Sequence, residues 1–313
     1  MLNKIRFSVF GAELLLILAA VVWGFSFVAQ KIGMDSIGPM AFNGIRFIIG
    51  SLSLLPVILI FNNKKKKTSA KQNIELWKAG IISGTVLFIA ASIQQFGIVF
   101  TTAGNAGFIT SIYVIIVPVM GLLFKQKVTI QTWVGAVLAI VGLYYLSVSE
   151  GLTIVVGDLL VFGSAFFWAI QVLLAGYYAV RVNVIKLAAI QFALTGVISL
   201  IISLFTETYG IQNILDASIP ILYGGIMSVG LAFTLQLIAQ KKANPSHAAI
   251  ILSTESVFAA VGGWIILNER LTTIEFIGAV LMLTGVVISQ IKKRTLTIPN
   301  STNIIAKKSK KIL

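Results

Sequence analysis

Apolar residues in this chain come in runs of about twenty, as in "LLLILAAVVWGFSFVAQKIG" at residues 14–33. Twenty residues rising 1.5 Å each cross a hydrocarbon layer of ~30 Å, so such runs read as membrane-spanning helices. Composition agrees: only 11% of the 313 residues are charged and mean hydropathy is +0.98, whereas a soluble domain carries about a quarter charged residues. The strands of a membrane barrel would be ~10 residues long and alternating, a pattern not found here. The chain has no Cys, which excludes disulfide frameworks and thiolate metal sites. The first run continues to Gly33, longer than the apolar stretch of a signal peptide.

Ten spans are predicted, at about 13–33, 41–61, 78–100, 104–124, 131–148, 157–179, 186–206, 218–240, 246–267 and 272–291. Alternating the sides of their connections places every Lys and Arg except Lys31, Arg46 and Arg270 on one side, including the run Lys64–Lys67. Asp35, Glu150, Asp158, Glu207, Asp216, Glu269 and Glu275 collect on the other. The positive-inside rule makes the basic side cytoplasmic, with both termini inside the cell membrane. The net charge of +14 is then spread over cytoplasmic loops and does not predict nucleic-acid binding. Residues 292–313 read as a basic cytoplasmic tail.

Residues 13–47 align without a gap with 158–192: Glu13 meets Asp158, Trp23 meets Trp168, and Arg46-Phe47 meets Gln191-Phe192. Farther on, "VTIQTWVGAVLAIVG" (128–142) meets "LTTIEFIGAVLMLTG" (271–285). Two halves of five spans follow, 1–149 and 150–291. Because five is odd, the second half enters the membrane from the opposite side. Secondary transporters use such inverted repeats, with a site near the midplane and alternating access. The expected fold is therefore an all-α polytopic membrane protein of ten transmembrane helices in two inverted five-helix repeats.

The segments "WGFSFVAQKIG", "FNGIRFIIG", "AGNAGFITSIYVIIVPV", "GDLLVFGSAFFWAIQVLLAG" and "TLQLIAQKKANPSHAAIILSTESVFAA", followed by "LNERLT", resemble the EamA-type ten-helix permeases of the drug/metabolite transporter superfamily. The resemblance runs to about residue 291. It implies a central cavity between the halves and ATP-independent export or exchange of small metabolites, amino acids among them. One departure is visible: the family often has Pro after the span-9 Glu, where this chain has Ser256, so a proline kink is not implied there.

Glu255 is the sharpest candidate. An acid at mid-span costs about 3 kcal/mol on insertion scales and must face the interior and find a partner or a proton. It can carry a proton, bind a cationic group, or cap another helix, neutralised by hydrogen bonds or by Arg46. Arg46 shares a helical face with Asn43, Gly50 and Ser53; it can hold a substrate carboxylate or pin two helices. Trp23 and Trp168 can line a cavity or pack. Gln95, Asn105, Gln171 and Gln236, with further amides such as Gln94, predict a polar interior, although amides also join helices. Pro118 predicts a kink in span 4. Gly104 beside the turn between spans 3 and 4, and His247 at the mouth of span 9, are candidate gating residues.

Other classes fit less well. An HExxH zinc site needs two His and there is one; neither a GxSxG elbow nor a GxxxxGK[ST] loop is present. No cofactor or metal is expected. A channel would show rings of charge or a filter loop; a channel or scaffold, and more remotely an intramembrane enzyme, are the alternatives. The partners expected are a small-molecule substrate and the lipid bilayer, with the chain a monomer or homodimer; proton coupling is one option for the carboxylate.

Overall fold

The structure is a computed structural model that describes residues 9–61, 69–123, 128–148, 155–267 and 272–290. The lysine run 64–67, the acids Glu150 and Glu269, Arg270 and the tail 292–313 lie outside the described residues. All regular structure among the described residues is helical. The ten predicted spans are all present, eight as long apolar helical runs and two as the shorter apolar helices at 130–145 and 276–289.

Span 1 is α1 (Val9–Gly33), and span 2 is α2 (Pro39–Ser53) continued by α3 (Leu55–Phe61). Span 3, α4 (Ala70–Val99), starts eight residues before the predicted boundary of 78. There the Ser69 hydroxyl accepts from Gln72 N while the Gln72 side chain accepts from Ser69 N, a capping box that starts the helix before its apolar part. Span 4 is split into α5 (Ala103–Thr110) and α6 (Tyr113–Leu123), and span 5 is α7 (Ile130–Val148). Spans 6 and 7 are α8 (Val156–Ala179) and α9 (Val184–Thr206). After the short α10 (Ile211–Asp216), span 8 runs as α11 (Ser218–Leu222), a π-helical segment (Tyr223–Phe233) and α12 (Thr234–Ala239). Span 9 is split into α13 (Pro245–Leu252) and α14 (Glu255–Ile266), and span 10 is α15 (Thr273–Gln290).

Large apolar side chains face outward, and amides are buried among the apolar core residues. Phe205, Leu123 and Ile219 are 85%, 78% and 79% exposed, while Gln94, Gln171, Gln191 and Gln236 are buried. That arrangement suits lipid as solvent. The packing repeats with a shift of five spans: α2 lies on α9, and α7 on α15. Likewise α1 lies on α14 while α8 lies on α5 and α6; α4 lies on α8 while the span-8 segments lie on α1. Contacts between helix ends join only ends that ten alternating crossings put on one side. Lys31 Nζ donates to the carbonyls of Ile98, Val99 and Thr101 at the end of α4. The Glu207 carboxylate accepts from Met40 N and Ala41 N, both at 2.8 Å, at the start of α2.

α7 and α15 stand aside as a pair, as the scarcity of polar groups in spans 5 and 10 predicts. Their backbones meet at glycine: a Cβ on Gly285 would lie 2.6 Å from Gly135 O, and one on Gly142 would lie 2.5 Å from Gly278 O. Such approach is the packing mode of small residues in membranes. Gly285→Ala is expected to push the pair apart and cost about 1–3 kcal/mol, read as a lower unfolding midpoint in detergent; Gly163→Ala, where an added Cβ meets nothing within 4 Å, should leave the midpoint in place.

Candidate functional site

A cavity lies in the middle of the bundle, lined from seven spans by Trp23, Arg46, Tyr113, Trp168, Phe233 and Glu255, together with Ser26, Gln30, Gln94, Thr110, Gln171, Ser228 and Gln236. Its room for the centres of water-sized spheres is about 50 Å³, space for roughly three to five waters. Of the residues singled out in the sequence, Glu255, Arg46, Trp23, Trp168, Gln171 and Gln236 meet here. Gln95 does not: its side chain is buried nearby and donates to Met34 Sδ at 2.9 Å. Its neighbour Gln94 faces the cavity, donating to Thr110 Oγ1 at 2.8 Å. Asn105 is in the first turn of α5, half-buried and away from the cavity walls.

Two interrupted spans build the acidic wall. Span 9 breaks at Ser253-Thr254, with Glu255 first in α14. The break needs no proline. The hydroxyls of Ser253, Thr254 and Ser256 donate to the carbonyls three residues earlier, at Ile250, Ile251 and Ser253, and such back-bonding bends helices. Span 4 breaks at Ser111-Ile112, a full turn and more before Pro118; α6 runs on through that proline. The breaks touch. Ser111 Oγ donates to Ser253 O at 3.2 Å, and Tyr113 OH donates to Glu255 Oε1 at 3.0 Å. Glu255 is 4% exposed and stands in the first turn of its half-helix. Gly24 lets α1 close over it, since a Cβ there would lie 2.7 Å from Glu255 O.

Span 8 forms the facing wall through its π-helical segment. Trp23 Nε1 donates to Ser228 O at 3.2 Å, and Tyr223 OH donates to Val22 O at 3.0 Å, tying the segment to α1. Long π-helical stretches are rare and concentrate at functional sites. At its end Phe233 is surrounded by two repeat-related pairs: Trp23 at 4.6 Å and Trp168 at 5.8 Å between centroids, with Phe47 at 6.5 Å and Phe192 at 5.7 Å. Both tryptophans therefore line the cavity and pack.

Arg46 is 4% exposed. Its Nε donates to Asn43 Oδ1 at 3.0 Å, and its guanidinium lies 5.5 and 5.1 Å from the ring centroids of Phe42 and Phe47. It forms no ion pair with Glu255, whose partner is Tyr113. Gln191, the repeat mate of Arg46, accepts from Gln171 Nε2 at 3.1 Å. Trp168 Nε1, Gln171 Oε1 and Gln30 Oε1 are buried without a protein partner.

Both ends above and below the cavity carry an acid at the same repeat position. At the basic end Glu13 Oε1 meets His247 Nε2 at 3.3 Å. At the other end Asp158 Oδ1 accepts from Thr101 Oγ1 at 2.5 Å. Gly104 lies just inside that second contact, in the first turn of α5. The partner of His247 was not foreseen, nor were Tyr113 and Phe233. Ser26 and Gln30 were legible in principle, standing three and seven residues after Trp23 on one helical face.

A chamber with acid, base and amide side chains in its walls, set within a ten-helix membrane bundle, is the build of a multi-pass membrane transporter. The chain belongs to the EamA-like transporter family, which matches residues 10–148 and again 155–290. It is similar to a protein of Archaeoglobus fulgidus named an uncharacterized transporter, 33% identical over 90% of this chain and 86% of that one. It is also similar to the uncharacterized transporter YoaV of Bacillus subtilis, 25% identical over 87% of this chain and 94% of that one. One solved crystal structure superposes with a TM-score of 0.74 over 90% of this chain and 98% of the other, at 16% identity, a likeness of fold alone.

Tyr113→Phe removes the donor to Glu255 and is expected to cost about 1–3 kcal/mol, seen as a lower unfolding midpoint. Glu255→Gln keeps an acceptor oxygen for Tyr113 and should lose less in the same measurement.

Proposed function

We propose that the protein is a secondary transporter, an exporter or exchanger, that moves a small polar metabolite such as an amino acid across the cytoplasmic membrane by alternating access. It works as a carrier and not as an enzyme. The observation that carries this reading is the chamber itself, where a carboxylate and a guanidinium face one cavity without pairing to each other. Each is left to meet an opposite charge on a bound molecule. The unpartnered polar atoms of Trp168, Gln171 and Gln30 add directional sites, since buried polar groups are ordinarily hydrogen-bonded. Membership in a transporter family supports the same class.

Ligand sites span some 300–1,000 Å³, so a chamber of about 50 Å³ must open to load. The halves 1–149 and 150–291 are the moving bodies in this reading. The five-span symmetry of the packing supports that division, as do the two successive family matches. Glu13–His247 and Asp158–Thr101 are then the inner and outer closures, and their breaking in turn gives access from each side.

Purified protein in liposomes tests the role of the carboxylate. Glu255→Gln should lower the rate of metabolite flux and flatten its dependence on pH; an unaltered rate with an unaltered pH profile would discard Glu255 as a working group. Orientation is tested separately: a reporter fused after Leu313 should read out in the cytoplasm, and external activity would reverse the assignment of the two ends.

A further inference from the structure

A second cavity opens at the basic end of the bundle, apart from the central chamber. It has about 480 Å³ of room for the centres of water-sized spheres. Ala12 and Leu15 of α1, Ile185 at the start of α9 and Ile238 of α12 form an apolar floor. Its rim carries three cations from two different turns: Arg181 between α8 and α9, and Lys241 and Lys242 between α12 and α13. Among the described residues none of the three forms an ion pair, the one acid–base contact being Glu13 with His247. Glu75 of α4 and Arg181 both lie within electrostatic reach of the Tyr178 hydroxyl, and Glu75 forms no salt bridge with any of the three.

We infer that this cavity is a binding site for a phosphate-bearing anion, held by Arg181, Lys241 and Lys242. Arg181 lines the cavity and stacks on Tyr177, a residue outside the lining. Its guanidinium lies 3.6 Å from the Tyr177 ring centroid and gives one donor to Tyr177 O, leaving most of its five donors available. A stacked guanidinium loses little freedom when it forks onto phosphate oxygens. Lys241 is half-buried, and burial holds its ammonium below the usual lysine range; a bound anion would offset that desolvation. Topology alone asks only for positive charge somewhere on this side. It does not ask for three cations around one hollow with an apolar floor.

Two sources supply this chemistry, a phospholipid headgroup whose chains lie along the apolar floor, or a free phosphate compound. Native mass spectrometry and thermal unfolding would separate them, on full-length protein. The probes are inorganic phosphate in detergent, and bilayer discs of phosphatidylcholine with or without phosphatidylglycerol. Saturable stabilisation by phosphate alone supports the free anion. Retention and stabilisation by phosphatidylglycerol but not by phosphate supports the lipid. In either arm Lys241→Gln with Lys242→Gln should weaken binding, by roughly fivefold per cation removed. Lys186→Gln, which removes a charge from the same side outside the cavity, should leave it unchanged. Ile238→Phe, which crowds the floor without altering charge, guards against a fold defect in the lysine variant and should weaken lipid retention the more. Absence of stabilisation by both probes overturns the inference, and so does equal weakening by Lys186→Gln, which would mean diffuse attraction.

Discussion

The structure turns on the contact between two interrupted helices at the centre of the bundle. Spans 4 and 9 both break where hydroxyl-bearing residues sit, and the breaks meet through Ser111 on Ser253 O and Tyr113 on Glu255. Inside lipid an unwound turn survives only where its backbone groups find partners in protein. Here each turn keeps short backbone bonds of its own, Ile112 N to Ile109 O and Thr254 N to Ile251 O, and the Ser111 hydroxyl adds a bond across to Ser253 O. The same contact gives Glu255 a donor, a half-helix N-terminus and a wall of the chamber.

Symmetry and its local failure explain the rest of the chamber. Trp23 with Trp168 and Phe47 with Phe192 are repeat mates, and they close around Phe233 as two pairs around one ring. Arg46 and Gln191 occupy one repeat position but do different work, one beside the cavity with rings beneath it, the other holding Gln171. Carried back to span 4, the 143-residue offset of the second aligned block sets Glu255 opposite Ile112. The scaffold is thus doubled, while the charges that a bound molecule would meet are single.

Much of this was legible in the residues. Span count, the alternation of sides, the peripheral place of spans 5 and 10, and the convergence of Trp23, Arg46, Trp168, Gln171, Gln236 and Glu255 all follow from apolar length, basic-residue distribution and repeat alignment. Gln94 and Gln95 differ by one residue, a turn of 100° on a helix, and alignment of a few polar letters does not resolve which faces inward. A kink in span 4 was expected at Pro118, and the break lies at Ser111-Ile112, because a missing backbone donor inside a packed helix is tolerated where neighbours support it, whereas the buried Ser111 hydroxyl bonds across to Ser253 O of span 9.

The sequence by itself determined that the chain lives in lipid, crosses it ten times and carries one acid and one base at depth, since apolar run length and the cost of buried charge leave no other solution. Only the tertiary structure decided who partners whom. Tyr113 rather than Arg46 holds Glu255, His247 meets Glu13, and a π-helical segment brings Phe233 between two tryptophans. Those choices depend on contacts 65 to 234 residues apart along the chain, which no local pattern encodes.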